Sequence, residues 1–430
     1  MLNEQQEEAK NKIVSWFKQA REGGNQIFTL AGYAGTGKTY LINYLINSVL
    51  DVDKEKIASV TPTGKAASVL IQKGTSACTI HRLIYTCEDS GRKDSRGKPI
   101  PLFIKKKSLP DYELIILDEV SMIGKKIMQD LISFNIPILA IGDPGQLQPV
   151  LSERHDLLDH PDYILTEIVR QSEDDPIIKI STMARNGEYI PYGKYGDNVV
   201  VIAKDKIKEE TLNKLLVNAD QVICGKNTTR IYLNYYIRSL LGFSGEFPIE
   251  GDKLICIQNN YEIFVDNDEM FPLVNGNIGY CKNFLNVNPE EKLAKIVFHS
   301  EFVSDYNEDE IICDSGIFTN GDFEYDRHQK IYILENGKIT PRRSLTKKSE
   351  MSDSEYRRLV AIELSNRTKS EGEVQISQFD FGYAISCHKA QGSEFDKVIV
   401  FDESKCFSGE RNKWLYTAIT RAKKKLIIIR

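Results

Sequence analysis

The run Gly32-Tyr33-Ala34-Gly35-Thr36-Gly37-Lys38-Thr39 constrains this chain more than any other feature. It has the spacing GxxxxGK[ST], follows a strand expected at 26–31, and leads into a helical pattern from Tyr40 to Val49. A strand, a glycine-rich turn and a helix in that order form the setting in which this spacing cradles phosphates. Gly32, Gly35 and Gly37 let backbone N–H groups, Thr36 among them, close round an anion, and the helix N-terminus adds positive potential. Lys38 then reaches the β and γ oxygens of a nucleotide, and Thr39 offers its hydroxyl to magnesium. The plain alternative, a glycine turn that merely starts a helix, would need four fixed positions and both flanks to coincide.

Downstream, Leu114-Ile115-Ile116-Leu117-Asp118-Glu119 reads as an aliphatic strand that ends in two adjacent acids. At the C-terminal edge of a parallel sheet Asp118 lies beside the phosphate loop, where it can hold the magnesium shell, and Glu119 can polarise a water against the γ-phosphate. Taken alone, Asp-Glu after a strand is a solvated turn; the upstream loop changes that reading. Two acids point to hydrolysis, because a small-molecule kinase needs no water-activating glutamate.

The rest of the chain alternates short aliphatic runs with helical patterns. The first segment predicts a helix, with Leu2, Gln6, Ala9, Ile13 and Phe17 on one face, Asn3 as its cap and Gly23-Gly24 as its stop. Strands are expected at 57–61, 114–117, 138–141 and 164–165, giving an α/β layer with a buried parallel sheet over 1–170. Residues 88–110 break this rhythm. They hold Gly91, Gly97, Pro99, Pro101 and Pro110 among Arg92, Lys93, Arg96, Lys98, Lys105, Lys106 and Lys107, and read as an inserted basic hairpin whose one aromatic is Phe103. A second α/β block over 171–250, with strands at 199–203 and 221–224, resumes at 371–430 with strands at 397–401 and 425–429. Between its parts, 251–370 carries short β-type runs separated by Asn, Gly and Asp turns, as an all-β insertion would.

Four further runs narrow the function. Thr61-Pro62-Thr63-Gly64-Lys65-Ala66-Ala67 follows a strand, and its small and hydroxylated residues can bring backbone and Lys65 to a phosphodiester chain. Gly142-Asp143-Pro144-Gly145-Gln146-Leu147-Gln148-Pro149-Val150 offers amides that can sense the γ-phosphate. His388-Lys389-Ala390-Gln391-Gly392-Ser393-Glu394 and Leu415-Tyr416-Thr417-Ala418-Ile419-Thr420-Arg421-Ala422 lie in the second block.

The set, in this order, resembles the superfamily 1 helicases of the RecD-like branch across essentially the whole chain. The resemblance implies two RecA-like P-loop domains in tandem around one Mg-ATP, an inserted strand-separating hairpin, and an SH3-like accessory β domain. By the same resemblance Gln6 reads adenine, and Lys38, Thr39, Asp118, Glu119 and Gln146 serve the nucleotide, with Gly392 and Glu394 in the nucleotide set. Leu165-Thr166-Glu167-Ile168-Val169-Arg170 supplies one arginine to the γ-phosphate, and Arg421 supplies a second. Their plain alternatives are a surface ion pair for Arg170 and a helix C-terminal charge for Arg421. Pro62, Thr63, Lys65, Thr79, His81, His388, Lys389 and Ser393 become DNA contacts, suited to phosphates and sugars and so weak in sequence preference. His81 and His388 could equally be buried, hydrogen-bonded histidines. Asn227 and Asn275-Gly276 lie in less sharply defined family segments. Phe103 would stack on a base at a duplex junction, although a charged run of this kind is commonly a solvated loop. The acidic stretch around Asp305 to Glu310 departs from any DNA-facing expectation and suits solvent or a partner.

Composition limits the remainder. A chain of 430 residues should hold roughly two to four modules. Its net charge of −5 gives no global basic footprint, which argues against passive coating of nucleic acid. The eight cysteines (Cys78, Cys87, Cys224, Cys256, Cys281, Cys313, Cys387 and Cys406) include no CxxC pair, so neither a zinc site nor a disulfide framework is indicated. The N-terminus is polar and no apolar run approaches the roughly 20 residues of a membrane span, giving the expectation of a soluble, cytoplasmic protein. The leading expectation is a DNA helicase driven by ATP and magnesium, acting on single-stranded DNA and junctions. Its 5′ to 3′ direction, and a viral setting with replication or recombination partners, come from the resemblance alone. The rivals are a translocase that displaces proteins with little unwinding, for which a weak pin would be the clue, and a non-catalytic subunit of a recombination complex, which could lack Glu119 or the arginines. One chain carries both halves of the ATP site, so a monomer would suffice.

Overall fold

The computed structural model describes residues 2–72, 75–93, 99–148, 157–168, 175–268, 271–290, 292–320, 331–335, 338–342, 373–374 and 376–430. The chain divides into two compact units, one comprising 1–84, 107–242 and 383–430, the other 85–106 and 243–382.

The first unit contains two six-stranded sheets. One runs, edge to edge, Ala77–Thr79, Ile57–Thr61, Leu114–Leu117, Ile138–Gly142, Ile27–Gly32 and Tyr163–Leu165, every pair parallel. The four inner strands are buried along nearly their whole length, as continuous aliphatic runs must be when helices cover both faces. The helix Glu4–Arg21 begins with a reciprocal capping box: Asn3 Oδ1 accepts the Gln6 N–H at 2.8 Å, and Gln6 Oε1 accepts the Asn3 N–H at 3.1 Å. Its apolar face, Ala9, Ile13, Trp16 and Phe17, packs with Phe28, Leu30, Leu41, Leu45, Ile116 and Leu139 in one core. Truncating a fully buried member such as Leu30 to Ala should cost about 2–5 kcal/mol.

The second sheet runs Ala384–Ser386, Gln221–Cys224, Phe395–Phe401, Ala422–Ile429, Val199–Ile202 and Gly193–Tyr195, parallel except for its last, antiparallel pair. Strands from either side of the long insertion therefore interleave. In both sheets the parallel order brings the loops at the strands' C-terminal ends to one edge, the place where open α/β sheets bind ligands. The phosphate loop, the two acids and the Asp143–Gln146 loop all leave that edge of the first sheet.

In the second unit Tyr85–Lys93 pairs antiparallel with Pro99–Lys105, from Tyr85 opposite Lys105 to Lys93 opposite Pro99, with a register shift between Asp89 and Arg92. The hairpin thus begins three residues before the expected 88. A separate antiparallel sheet runs Ile311–Asp314, Leu293–Ser300, Ile278–Asn288, Lys253–Cys256 and Phe379–Phe381. The Ser377 N–H donates to the Ile312 carbonyl (2.9 Å) and the Ser377 carbonyl accepts from the Asp314 N–H (3.0 Å), joining the last strand's chain back to the first and closing the sheet on itself. Phe298 and Phe379 meet inside it at 4.9 Å between ring centroids, and Phe318 and Phe381 at 5.1 Å. The sheet of this insertion accordingly extends past residue 370 to Phe381. The acidic stretch is mostly exposed, with Glu308 on His299 and Glu310 on Lys295. Among the described residues, no helix is long and apolar enough to cross a membrane.

Candidate active site

The phosphate loop is built on backbone conformations that favour glycine. Gly35 and Gly37 have φ of +81° and +76°, and a Cβ on Gly32 would stand 2.9 Å from Thr36 Oγ1 and 3.0 Å from the Lys38 side chain. The Thr36 hydroxyl donates to the Tyr33 carbonyl (2.8 Å), and Lys38 Nζ donates to the carbonyls of Gly32 (2.6 Å) and Tyr33 (2.9 Å), which hold the ammonium on the loop. Thr39 opens the helix Lys38–Ser48 and is exposed. The expected adenine-reading Gln6 is buried, and its Nε2 donates to the Thr36 carbonyl at 3.1 Å. With its Oε1 on Asn3, this amide ties the first helix to the phosphate loop.

The acids follow the central strand Leu114–Leu117 as expected. Asp118 Oδ1 accepts the Glu119 N–H at 2.9 Å. Glu119 has φ +54° and ψ +42°, a left-handed conformation that costs a side-chain-bearing residue of order 1–3 kcal/mol and recurs where function fixes geometry. Its carboxyl is pushed up to about 7, first because surrounding protein removes water from the charged form, then by repulsion from Asp118 and Asp143; Arg421 and Lys38 oppose the shift. One carboxyl thus lies within electrostatic reach of a lysine from the first sheet and an arginine from the second. The donor set suits Mg-ATP: a glycine cradle that a Cβ would fill, one lysine, a hydroxyl at Thr39 and the Asp118 carboxylate.

The Asp143–Gln146 loop is where the two sheets' elements meet. Asp143 and Gln146 are buried, and Gln146 Oε1 has no hydrogen-bond partner among the described residues. Leu147 N–H donates to Thr417 Oγ1 (2.9 Å), Gln391 Nε2 donates to the Leu147 carbonyl (3.0 Å), and the Tyr416 hydroxyl donates to Asp143 Oδ2 (2.6 Å). Arg421 is 5% exposed. Its Nε donates to the Thr417 carbonyl (3.0 Å), Nη1 to the Ser393 carbonyl (3.1 Å) and Nη2 to Thr420 Oγ1 (3.0 Å), so the guanidinium is oriented by its own helix end and by the His388–Glu394 run. Arg170 lies outside the described residues. Gly392 packs near Ala66 and Thr63, and Glu394 is exposed, without a contact to the phosphate loop among its described interactions.

On the expected DNA side, Pro62 and Thr63 are half-buried, and Thr63 Oγ1 accepts the Ala66 N–H at the start of the helix Gly64–Gln72. Thr79 Oγ1 likewise accepts from the Arg82 N–H. Lys65, expected as a DNA contact, is 3% exposed, with Nζ 5.3 Å from the ring centroid of Phe395 of the second sheet. Ser393 is also buried, and its backbone carbonyl accepts from Arg421 Nη1. His81, His388 and Lys389 are half-buried; burial lowers both imidazoles, with Glu410 partly offsetting this at His388. Phe103 is on the hairpin's second strand opposite Cys87, and its side chain lies outside the described set.

Sequence reasoning missed three participants. Tyr416 stands inside a quoted run, but its position there gave no role. Asp143 likewise was passed over for Gln146. Arg185, in the helix Pro176–Asn186, lies over the Tyr33 ring at 3.6 Å, and nothing local distinguishes it from an ordinary helix-end cation.

The family described as AAA domain matches residues 1–205, and the UvrD-like helicase C-terminal domain matches 381–429. The chain is 30% identical to the ATP-dependent DNA helicase dda of phage T4 over 44% of this chain and 43% of that one. It is 28% identical to the ATP-dependent RecD2 DNA helicase of Deinococcus radiodurans over 60% and 36%, and 25% identical to the ATP-dependent DNA helicase Pif1 of Campylobacter jejuni over 91% and 86%. The chain therefore spans less than half the length of the first two relatives and most of the third. The nucleotide loop, the paired acids and the arginine-bearing helix, read with these relatives, place it: the chain belongs to the superfamily 1 helicases of the RecD and Pif1 type.

Proposed function

We propose that this protein is an ATP-dependent DNA helicase that moves along single-stranded DNA, 5′ to 3′, and separates duplex ahead of it. The observation that carries this reading is the contact of the arginine-bearing helix with the nucleotide-side loop: the Leu147 N–H donates to Thr417 Oγ1 (2.9 Å), the Tyr416 hydroxyl donates to Asp143 Oδ2 (2.6 Å), and the Thr417 carbonyl accepts from Arg421 Nε (3.0 Å). Charge builds on the phosphoryl group during transfer, and an arginine supplied from a second element is typically worth about 10³ to 10⁵ in rate. Hydrolysis then requires both halves together, which couples nucleotide state to motion along a strand.

In this mechanism Lys38 and the loop N–H groups hold the β and γ phosphates. Thr39 and Asp118 would hold magnesium, which would supply charge neutralisation to the phosphates. Glu119, ionised, accepts a proton from the attacking water, Gln146 presents its buried amide to the nucleotide, and Arg421 meets the developing charge. Arg170 is proposed as a second such cation and Gln6 as the adenine contact. Pro62, Thr63, Thr79, His81, His388 and Lys389 are proposed for the DNA strand, and the hairpin with Phe103 for the junction. We assign the domains as a first motor half over 1–170, a second over 171–250 and 371–430, and the accessory β insertion between them, acting as a monomer in the cytoplasm with replication or recombination proteins as partners.

The test is ATP hydrolysis with and without single-stranded DNA, with strand separation followed on partial duplexes bearing a 5′ or a 3′ tail. DNA-stimulated hydrolysis with unwinding from the 5′ tail alone supports the reading. Stimulation without unwinding replaces it with a protein-displacing translocase, and no hydrolysis in either condition removes both.

A further inference from the structure

Tyr416 is 1% exposed, and its hydroxyl joins three elements at one oxygen. It accepts the Ala34 N–H of the phosphate loop at 2.8 Å and donates to Asp143 Oδ2 at 2.6 Å, while Asp143 Oδ1 accepts the Gly145 N–H at 2.9 Å. Burial and the neighbouring Asp143 hold the phenol well above its ordinary range, so it stays protonated and keeps donating. The ring lies flush on the same loop: a Cβ on Gly145 would stand 2.9 Å from Tyr416 Cε1. Thr417, the next residue, accepts from Leu147, and its carbonyl orients Arg421. The arginine is thus carried by the same turn of chain that Tyr416 fastens to the phosphate loop.

We propose that Tyr416 is a positioning residue that sets the register of Arg421 against the phosphate loop, through the Ala34–Tyr416–Asp143 hydrogen-bond chain. The proposal rests on the hydrolytic reading above. A hydroxyl that must satisfy a loop N–H and a buried carboxylate together has one geometry, whereas apolar contact alone between the halves would leave the helix free to slide. Tyr416 does not touch the reacting atoms; it fixes where the group that does so stands.

The test compares wild type with Tyr416→Phe, which keeps the ring and removes the hydroxyl, and with Gly145→Ala, which displaces the ring and keeps the hydroxyl. Steady-state hydrolysis on saturating single-stranded DNA should lose at least about 10-fold in kcat in each variant, with KM for ATP within about 3-fold of wild type. Affinity for ADP with aluminium fluoride, which imitates the transferring phosphoryl group, should fall by about 10-fold or more while affinity for ADP alone holds. Melting temperatures identify a variant that has simply lost its fold, in which case the other variant decides. A wild-type protein that does not hydrolyse ATP removes the underlying reading. A hydrolysing wild type matched by Tyr416→Phe, or a loss shared equally by ADP binding, overturns the role given to Tyr416 and leaves that reading intact.

Discussion

Arg421 Nη1 donates to the backbone carbonyl of Ser393 at 3.1 Å, so the arginine proposed to meet the nucleotide is physically tied to the run expected to follow DNA. A movement of the 388–394 segment when a strand binds would therefore be felt at the guanidinium without any intermediary. Arg421→Lys should lower DNA-stimulated kcat by about 10³-fold, because one ammonium cannot reproduce three oriented N–H donors. ATP and DNA affinities measured by fluorescence titration should stay close to wild type, and an unchanged kcat would deny Arg421 its role.

Gly32→Ala places a methyl group 2.9 Å from Thr36 Oγ1 and 3.0 Å from the Lys38 side chain. The loop must open to admit it, and Lys38 loses its seat on the carbonyls of Gly32 and Tyr33. Nucleotide affinity should fall by about 10-fold or more, with the melting temperature of the nucleotide-free protein little changed. Calorimetric titration with ADP measures it.

Lys65 is buried, with its ammonium over the ring of Phe395. Lys65→Met should leave the slope of log affinity for single-stranded DNA against log salt unchanged. A direct phosphate contact would instead lower that slope by about 0.7, the value for one contact on a single strand.

His81 and His388 are held below their ordinary value by burial. The unfolded chain then takes up protons more readily than the folded one as acidity rises. Their stabilising contribution is complete above about pH 6.5 and is lost as the pH falls through the lowered folded-state values. Urea midpoints should drop between about pH 7.5 and about 5.5, and His81→Gln should flatten that dependence. A midpoint that rises on acidification would contradict the sign.

The strands around the nucleotide site were legible because each is an aliphatic run buried on both faces and followed by residues with a chemical signature; Leu114–Leu117 before Asp118 is the plainest case. The first helix announced itself by periodicity and by Asn3, although Gln6 turned out to serve both the cap and the phosphate loop. Less readable were relations between distant parts of the chain. Tyr416 meets partners 382 and 273 residues away, and no local pattern specifies such a pairing. Lys65 sits in a turn of small residues that looks open, yet it is buried beside Phe395 from the other sheet. The hairpin's start at Tyr85 and the insertion's last strand at Phe379–Phe381 were misplaced because short β runs carry weak boundary signals, and their pairing is decided by residues far along the chain.

The central claim is that hydrolysis needs an acid of one half and an arginine of the other at a single site. Single-turnover hydrolysis on single-stranded DNA by Glu119→Gln, Arg421→Lys and the double variant tests it most directly. Each single change should cost about 10² to 10⁴ in rate and the double variant little more than the worse of the two, because groups that act as a unit are not additive. Losses that multiply, or a Glu119→Gln protein that hydrolyses ATP as wild type does, would contradict the account.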